Sequence, residues 1–319
     1  MTNRALVLLS GEKTSIPEAE ARALFLAYDP ASTFSSPEDR ILLVETAADP
    51  RAVSRRIAFA RRVGSLLSRP SDASATVRGR KIRFRSFAVG EQPPRHADVE
   101  ATLGGLRAEV DLENPDYELT LITGRQDYLV LTVPKEMNQA WSSRRPRKRP
   151  FFHPAAIFPK LSRALVNLTR CREGDVLLDP FVGTGSILIE ASEVGLDCLA
   201  IDRSRRMAYG SLSNMRAFGQ EWLGVIRANA FSAPLGMVDG VATDLPYGRA
   251  SSAGGAPIAT VVRRAMEKLP PMIRPGGRLV VMHPSHVPVE PGSDMIAEGE
   301  HYIYIHKKLT RAITILRKT

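Results

Sequence analysis

Two short turns contain the side chains of this 319-residue sequence that are best suited to chemistry. The first, Asp179-Pro-Phe-Val-Gly-Thr-Gly185, directly follows the apolar run Val176-Leu177-Leu178. Glycines let a backbone approach a ligand closely, and ligands bind beyond the carboxyl ends of strands in sheets that alternate with helices. This turn predicts a small-molecule site formed by Asp179, Phe181, Gly183, Thr184 and Gly185, although a Gly-x-Gly turn also occurs where no ligand binds.

A second acid, Asp202, narrows the choice of ligand. It ends the apolar run Cys198–Ile201, 17 residues after Gly185, where a carboxylate accepts hydrogen bonds from both hydroxyls of a ribose. A helix N-cap before Ser204 is the alternative role. Position 188 is leucine, whereas a dinucleotide fingerprint has a third glycine there. The pattern therefore favours a nucleoside cofactor without a pyrophosphate, such as S-adenosylmethionine.

The other turn, Thr243-Asp-Leu-Pro-Tyr-Gly248, combines a carboxylate, backbone carbonyls and an aromatic ring. An exocyclic base amine has its lone pair delocalised into the ring, so Asp244 and a carbonyl of Leu245 or Pro246 must hold its N–H groups as a new bond forms. Tyr247 suits stacking on a base that has left its helix. We predict methyl transfer to a flipped base, and a polar turn with a tyrosine lid is the alternative.

The elements that must position these turns differ between the two halves of the chain. In the N-terminal half, the pattern predicts strands at 5–9, 41–46, 81–89, 118–122 and 128–133 and helices at 17–28, 50–67 and 96–106. The 50–67 helix rests on apolar residues recurring every three or four positions, with arginines mostly off that stripe. Such β-α-β layers indicate ferredoxin-like units.

From residue 151 onward, strand and helix patterns alternate regularly. Strands are predicted at 176–178, 198–201, near 225, at 240–243 and at 279–282, with helices at 161–168, 186–193, 204–218 and 258–269. This alternation is typical of a doubly wound, mostly parallel α/β sheet. Two final β-rich runs at 302–305 and 312–316 predict an antiparallel hairpin at its carboxyl end.

Residues 141–150 contain five cations and two prolines and predict the boundary between domains at 1–140 and 151–319. Proline and the residue before it resist helix formation. A solvated linker and a nuclear-localisation signal are alternatives to a role in binding RNA phosphates. The candidate RNA contacts are Arg144, Arg145, Arg147, Lys148 and Arg149, together with Arg80 and Lys81 from the N-terminal half.

The net charge of +10 favours a polyanionic partner. Apolar runs are far shorter than the ~20 residues of a membrane-spanning helix, so we expect no membrane association. The two cysteines, Cys171 and Cys198, build neither a disulfide framework nor a Cys-rich zinc site, and they fit a reducing, cytoplasmic location. His283 and His286 follow a predicted strand, but no cysteine stands near them, so no metal site is expected.

Both turns resemble those of class I S-adenosylmethionine-dependent amino-methyltransferases. Three further stretches, Phe151–Pro154, Lys160–Leu168 and Leu309–Arg311, are similar to the archaeal and eukaryotic tRNA guanine-N2-methyltransferases that modify guanosine 10. Residues 110–116 resemble the end region of their THUMP domain, an RNA-binding module preceded by a ferredoxin-like domain. The resemblance implies a Rossmann-like methyltransferase domain behind an RNA-binding region and tRNA as the partner.

The resemblance also implies roles for individual residues. Asp244, Pro246 and Tyr247 match the catalytic turn, and His153 matches a segment that folds over the cofactor edge. Asn229 and Ala230 match the adenine site, where the family usually has Asp-Ala. Leu245 replaces the first proline of the family's Asp-Pro-Pro-Tyr turn, and since leucine frees φ and adds an N–H, a looser turn is expected. The cofactor turn and Asp202 match without such changes.

Several functional alternatives stay open at this level. In one alternative, the enzyme methylates another guanosine of tRNA, ribosomal RNA or adenine N6 in DNA. In another, the chain is a tRNA-binding protein whose transferase half is inactive. The residues do not decide between one methyl group and two. Some relatives bind a small zinc-containing activator protein, and the need for one is equally open.

Overall fold

The computed structural model describes residues 3–12, 14–90, 106–134, 140–246, 257–306 and 309–319. The chain divides into two compact units, one formed by residues 1–13 and 24–139 and the other by residues 14–23 and 140–319. None of the helices among the described residues is long and apolar enough to cross a membrane.

The first unit contains an eight-stranded sheet in the order β2-β3-β1-β4-β8-β7-β5-β6. Most neighbours are antiparallel, and β5 runs parallel to β7 and β6. The predicted strands are confirmed, and the predicted 96–106 helix falls on residues of which only Leu106 is described. Helix α1, Ile16–Tyr28, is divided between the units at residue 23. The other elements of the first unit are β1 Asn3–Leu9, β2 Thr33–Glu38, β3 Ile41–Thr46, α2 Pro50–Arg56, β4 Ala60–Leu67, α3 Ser74–Val77, β5 Lys81–Ala88, β6 Glu109–Val110, β7 Tyr117–Thr123 and β8 Asp127–Thr132.

The predicted helix at 50–67 is wrong in its second half. Helix α2 stops at Arg56 because Ile57 takes an extended conformation (φ −64°, ψ 135°), and β4 follows between β1 and β8. Gly64 permits that pairing, since a Cβ there would lie 2.2 Å from the Leu131 carbonyl oxygen. The helical spacing of apolar residues was coincidental, because long-range strand pairing decided the conformation.

The second unit contains a seven-stranded sheet in the order β11-β10-β9-β12-β13-β15-β14. The first five strands are parallel, while β15 is antiparallel to β13 and β14 is antiparallel to β15. The predicted mostly parallel sheet with an antiparallel end is therefore confirmed. Its elements are α4 Pro159–Leu168, β9 Val176–Asp179, α5 Ser186–Ser192, β10 Asp197–Asp202, α6 Arg205–Ala217, β11 Gly224–Arg227, β12 Val238–Asp244, α7 Ile258–Lys268, β13 Ile273–Pro284, β14 Met295–His306 and β15 Leu309–Lys318.

This topology brings three predicted site residues to one edge of the sheet. Strands β9, β10 and β12 are parallel neighbours, and they end at Asp179, Asp202 and Asp244, respectively. Carboxyl ends of parallel strands meet at one edge, which is where ligands bind in open α/β sheets. The sheet core behind this edge is apolar and includes Leu178, Val241 and Val281.

The basic segment 141–150 is part of the second unit, and two of its predicted RNA contacts are wrong because their side chains are buried. Arg144 and Arg149 are each only 4% exposed. Arg144 donates to both carboxylate oxygens of the buried Glu190 at 2.8 and 3.2 Å, and Arg149 donates to Ser186 Oγ and to the Arg144 carbonyl. These two guanidinium groups are therefore unavailable to RNA phosphates, whereas Arg145, Arg147 and Lys148 are exposed.

Candidate active site

The glycine turn after β9 adopts a conformation that only glycine takes readily. Gly183 and Gly185 have φ values of +50° and +78°, in the left-handed region that disfavours side chains. Gly185 is also the N-cap residue of α5, and a Cβ on it would lie 3.2 Å from the Ser211 Cβ. The turn is closed by a hydrogen bond from the Gly185 N–H to the Val182 carbonyl at 2.8 Å, and its glycines let the backbone lie close to a ligand at the carboxyl edge of the sheet.

Asp179 is a buried carboxyl group held by two donors. Its Oδ1 accepts hydrogen bonds from Thr243 Oγ at 2.7 Å and from the Phe181 N–H at 3.1 Å. Burial raises the pKa of Asp179 to about 7, and the charges of Asp244 and Asp202 add to that rise, while the two hydrogen bonds oppose it. An ionised Asp179 would therefore be stabilised by a positively charged ligand.

Asp202 connects the glycine turn to the start of α6. Its Oδ2 accepts from the Gly183 N–H at 3.1 Å, and its Oδ1 accepts from the Ser204 N–H at 2.7 Å. Burial raises its pKa. Ser204 is the N-cap residue of α6 and accepts from the Met207 N–H. Asp202 is thus not itself the cap, and each of its oxygens keeps an acceptor position beyond these bonds.

Asp244 ends β12 and forms a nearly buried ion pair with Arg311 of β15. The Arg311 Nη1 donates to Asp244 Oδ2 at 2.7 Å, with side-chain exposures of 7% for Arg311 and 16% for Asp244. The other oxygen, Oδ1, is buried and makes no hydrogen bond to the described residues. Burial raises the pKa of Asp244 to about 6, although the Arg311 charge lowers it. Among the described residues, one carboxylate oxygen of the site thus lacks a hydrogen-bond donor.

Sequence reasoning assigned no role to Arg311, although the resemblance included the Leu309-Thr310-Arg311 stretch. Its distance of 67 residues from Asp244 along the chain hides the pairing. The antiparallel β13–β15 pairing brings the two together, because β12 and β15 both flank β13. The signal available in the sequence was the position of Arg311 near the start of the predicted hairpin strand at 312–316.

Leu245, for which a looser turn is expected, is held firmly at the end of β12. Its side chain is fully buried in the apolar core of the sheet. The N–H that proline would lack donates to the Met282 carbonyl at 3.0 Å. The leucine therefore anchors the turn to β13 through a hydrogen bond and a buried side chain.

Beside these residues lies an open pocket with a cavity volume of about 190 Å³. It brings together His153, Asp179, Phe181, Gly183, Thr184, Asp202, Asp244 and Pro246. Three carboxyl groups line it, and no lysine or arginine does so among the described residues. This lining suits a cationic, phosphate-free ligand and opposes a pyrophosphate.

His153 lies on the pocket wall, with its Nδ1 accepting from the Ala155 N–H at 3.2 Å. It does not cap a helix, since the N-cap residue of α4 is Phe158. His283 is buried at the end of β13 beside Thr314, and His286 is exposed. Neither lines this pocket, and within the described ranges no cluster of three or more His, Cys, Asp or Glu is arranged to hold a metal.

A smaller pocket contains the two predicted adenine contacts. Asn229 and Ala230 line it together with Arg203 and Phe231, and it shares Phe181 and Pro246 with the main pocket. The Phe181 and Phe231 rings pack edge to face, 5.6 Å between centroids. Tyr247 lies outside the described residues.

Comparison with known proteins identifies the family. Residues 146–291 match the model described as RMKL-like, methyltransferase domain. A tRNA (guanine(10)-N2)-dimethyltransferase of Methanothermobacter thermautotrophicus is 31% identical over 98% of this chain and 99% of its own length. The enzyme of that name from Pyrococcus abyssi is 28% identical over 86% of this chain and 89% of its own.

A solved structure, TrmN from Thermus thermophilus, has the same fold over nearly the full chain, with a TM-score of 0.52 at 17% identity, covering 99% of this chain and all of that one. Three findings indicate the same family: the fold, the position of the two turns at the sheet edge and the full-length sequence match. The chain belongs to the family of tRNA (guanine(10)-N2)-dimethyltransferases.

Proposed function

We propose that this chain transfers methyl groups to the exocyclic N2 of guanosine 10 in tRNA, once and then a second time. The observation that best supports this proposal is Asp244 Oδ1, a buried carboxylate oxygen that accepts no hydrogen bond from the described residues and belongs to a side chain lining an acidic pocket. The full-length family relationship makes tRNA the substrate and position 10 the target. The donor in this family of methyltransferases is S-adenosylmethionine.

The residues present fit that donor. Its sulfonium and amino groups are cationic, and the pocket presents three carboxyl groups. Asp202 lines the pocket, and each of its oxygens keeps an acceptor position beyond its one backbone hydrogen bond, which suits ribose hydroxyls. Leu188, in place of the third fingerprint glycine, is fully buried in α5. We assign the nucleoside to Asp202, Asn229 and Ala230, and the cationic part to the surroundings of Asp179 and the Gly183–Gly185 turn.

At the base, we assign to Asp244 the task of accepting the proton that the amine loses. When bound, S-adenosylmethionine supplies a methyl group, so a nitrogen–carbon bond forms as the sulfur–carbon bond breaks. The amine N2 must lose a proton in the process, and we assign the acceptance of its N–H to Asp244 Oδ1, which has no donor among the described residues. Arg311 holds the other oxygen and keeps the carboxylate oriented. Tyr247 is assigned to stacking on the guanine.

We assign tRNA binding to the first unit, as a ferredoxin-like part followed by a THUMP part. Arg62, Arg83 and Arg85 all converge on the buried Glu118, leaving that surface positively charged. Exposed Arg80 and its neighbour Lys81 extend it, although Lys81 is partly neutralised by Asp111 at 2.9 Å. Arginine at such a surface suits phosphate contacts.

Mass spectrometry of nucleosides tests the proposed function. The purified chain, incubated alone with S-adenosylmethionine and an unmodified tRNA transcript, is expected to produce N2-methylguanosine and then N2,N2-dimethylguanosine at position 10. A transcript with adenosine at position 10 is the matched control and is expected to stay unmodified. Methylation at a different nucleotide would contradict the assignment, and activity that requires an added protein fraction would indicate an activator.

Arg311 is expected to set the pH dependence of methyl transfer. Because Asp244 must be ionised to accept the amine proton, and burial raises its pKa to about 6, the rate should fall as pH drops through that range. The Arg311 charge lowers this pKa, so Arg311→Gln should move the acidic limb to higher pH, whereas Arg311→Lys should largely restore it. Single-turnover rates from pH 5 to 9 measure the limb. An Arg311→Gln profile superimposable on that of the original protein would contradict this role.

A further inference from the structure

We infer that the second unit has its own RNA-binding surface beside the pocket, formed by Arg147, Phe152, Arg205, Arg206 and Tyr209. We call it the arginine–aromatic face. It would bind the phosphates and unstacked bases of the tRNA nucleotides that flank the flipped guanosine. The inference rests on the proposed function, because it takes the tRNA as the polyanion that this face meets.

The first observation is an uncompensated positive charge. Segments 141–158 and 203–213 contain no aspartate or glutamate. Six of their cations are exposed, and none of the six forms an ion pair within the described part of the chain: Arg145, Arg147, Lys148, Arg203, Arg205 and Arg206. Other arginines of the second unit, such as Arg144 and Arg278, are neutralised by glutamates. Free guanidinium groups in one region favour binding to phosphates.

The second observation is that aromatic rings are interleaved with these cations. Tyr209 is 61% exposed and Phe152 is 43% exposed, although such rings are normally buried. The Arg205 guanidinium lies 5.3 Å from the Tyr209 ring centroid, and that of Arg147 lies 5.9 Å from the Phe152 centroid. A base stacking on such a ring gains a flat apolar contact beside a positive charge.

The third observation is that the two segments are docked to each other. Asn214 of α6 binds both the N–H and the carbonyl of Phe151 at 2.9 Å. The Phe151 ring lies where a side chain at Gly210 would be, 2.1 Å from its ideal Cβ position, and Arg206 stacks over that ring at 5.7 Å. Phe151 is therefore held against α6, and this docking fixes the chain that continues into Phe152 beside the helix that carries Arg205, Arg206 and Tyr209.

The face adjoins the pocket. His153 follows Phe152 and lines the pocket, and so does Met207, which follows Arg206. Helix α6 begins shortly after Asp202, at the carboxyl edge of the sheet. RNA held on these residues would thus pass the pocket mouth, where its target base must enter. Aromatic stacking with unpaired positive charge favours single-stranded nucleic acid over a protein partner.

Two double variants test the face. In Arg205→Gln/Arg206→Gln, the slope of log affinity against log salt should decrease in magnitude by about 0.7 to 0.9 for each phosphate that the protein no longer neutralises. In Phe152→Ala/Tyr209→Ala, the Kd for a tRNA transcript should rise about 10-fold or more with little change in that slope. Affinity for S-adenosylmethionine should be preserved in both, and the KM for tRNA should rise more than kcat falls.

Matched controls come from the opposite, amino edge of the sheet. Arg172 is exposed shortly before β9, and Leu223, 59% exposed, directly precedes β11. Arg172→Gln and Leu223→Ala are expected to leave tRNA affinity and salt slope unchanged. Wild-type affinity and slope in both double variants would overturn the inference and leave the face to a protein partner. If the original protein does not methylate guanosine 10 but the double variants lose affinity for tRNA, the arginine–aromatic face is supported and the proposed function is rejected.

Discussion

Replacing Asp244 with alanine is expected to reduce methyl transfer to tRNA by at least about 100-fold, the usual effect of removing one group that stabilises developing charge. The physical reason is Oδ1, which accepts no hydrogen bond from any described residue. Without a carboxylate there, the proton on N2 has no acceptor as the new bond forms. Affinity for tRNA should stay close to that of the original protein, because phosphate contacts made elsewhere supply most of the binding. Single-turnover rates and tRNA binding measure the two effects separately.

The alanine variant also leaves Arg311, only 7% exposed, without its 2.7 Å partner. Breaking a buried pair costs about 3–5 kcal/mol of stability, so loss of folding must be separated from loss of chemistry. Asp244→Asn provides that control, since the amide keeps the shape and a carbonyl oxygen for Arg311 while losing the charge. It should remain folded and inactive. Turnover near the original rate in a folded asparagine variant would contradict the role of Asp244.

Replacing Asp202 with alanine is expected to weaken S-adenosylmethionine binding by about 100-fold. The variant loses the two hydrogen bonds that the ribose hydroxyls would donate to the carboxylate, and each is worth about 1.5 kcal/mol or more. The same change removes the acceptors for the Gly183 and Ser204 N–H groups, so the turn itself becomes less ordered. Isothermal titration with S-adenosylmethionine measures the affinity. At saturating cofactor, the methyl-transfer rate should recover in large part, because Asp244 is unchanged.

Asp197 provides the matched control for this experiment. It begins the same strand, β10, at the opposite edge of the sheet, and it is exposed. Asp197→Ala removes an identical charge without touching the pocket and should bind S-adenosylmethionine as the original protein does. Equal affinities of the Asp202→Ala and Asp197→Ala proteins would remove Asp202 from the cofactor site.

The N-terminal unit shows where local patterns fail. The spacing of apolar residues in 50–67 fits a helix, yet β4 occupies the second half of this segment. Pairing with β1 on one side and β8 on the other outweighs the intrinsic preference of these residues for a helix. Short or irregular elements such as β2 and β6 had no apolar alternation to reveal them. In the second unit, a regular strand–helix order made most boundaries accurate to within three residues, but β13 and β14 begin six and seven residues before the strands predicted at 279–282 and 302–305.

Charge was the least predictable property from the linear sequence. Five cations in ten residues indicated a solvated segment or an RNA contact, but Arg144 and Arg149 turned inward to Glu190 and Ser186. A guanidinium group is buried only where the fold provides a carboxylate or carbonyl oxygen to accept its hydrogen bonds. Leu245 shows the same dependence, since its N–H found the Met282 carbonyl on the neighbouring strand.

The sequence by itself determined the strand–turn–helix order of the second unit, the glycine turn, and the acids at three strand ends, because these depend on local periodicity and on residues close together in the chain. The tertiary structure alone decided which charges are neutralised: it pairs Arg311 with Asp244, it buries Arg144 and Arg149, and it leaves the cations beside Phe152 and Tyr209 without an ion pair to any described residue. Such contacts join residues far apart in the chain, and their energies depend on burial and distance, neither of which a linear pattern contains.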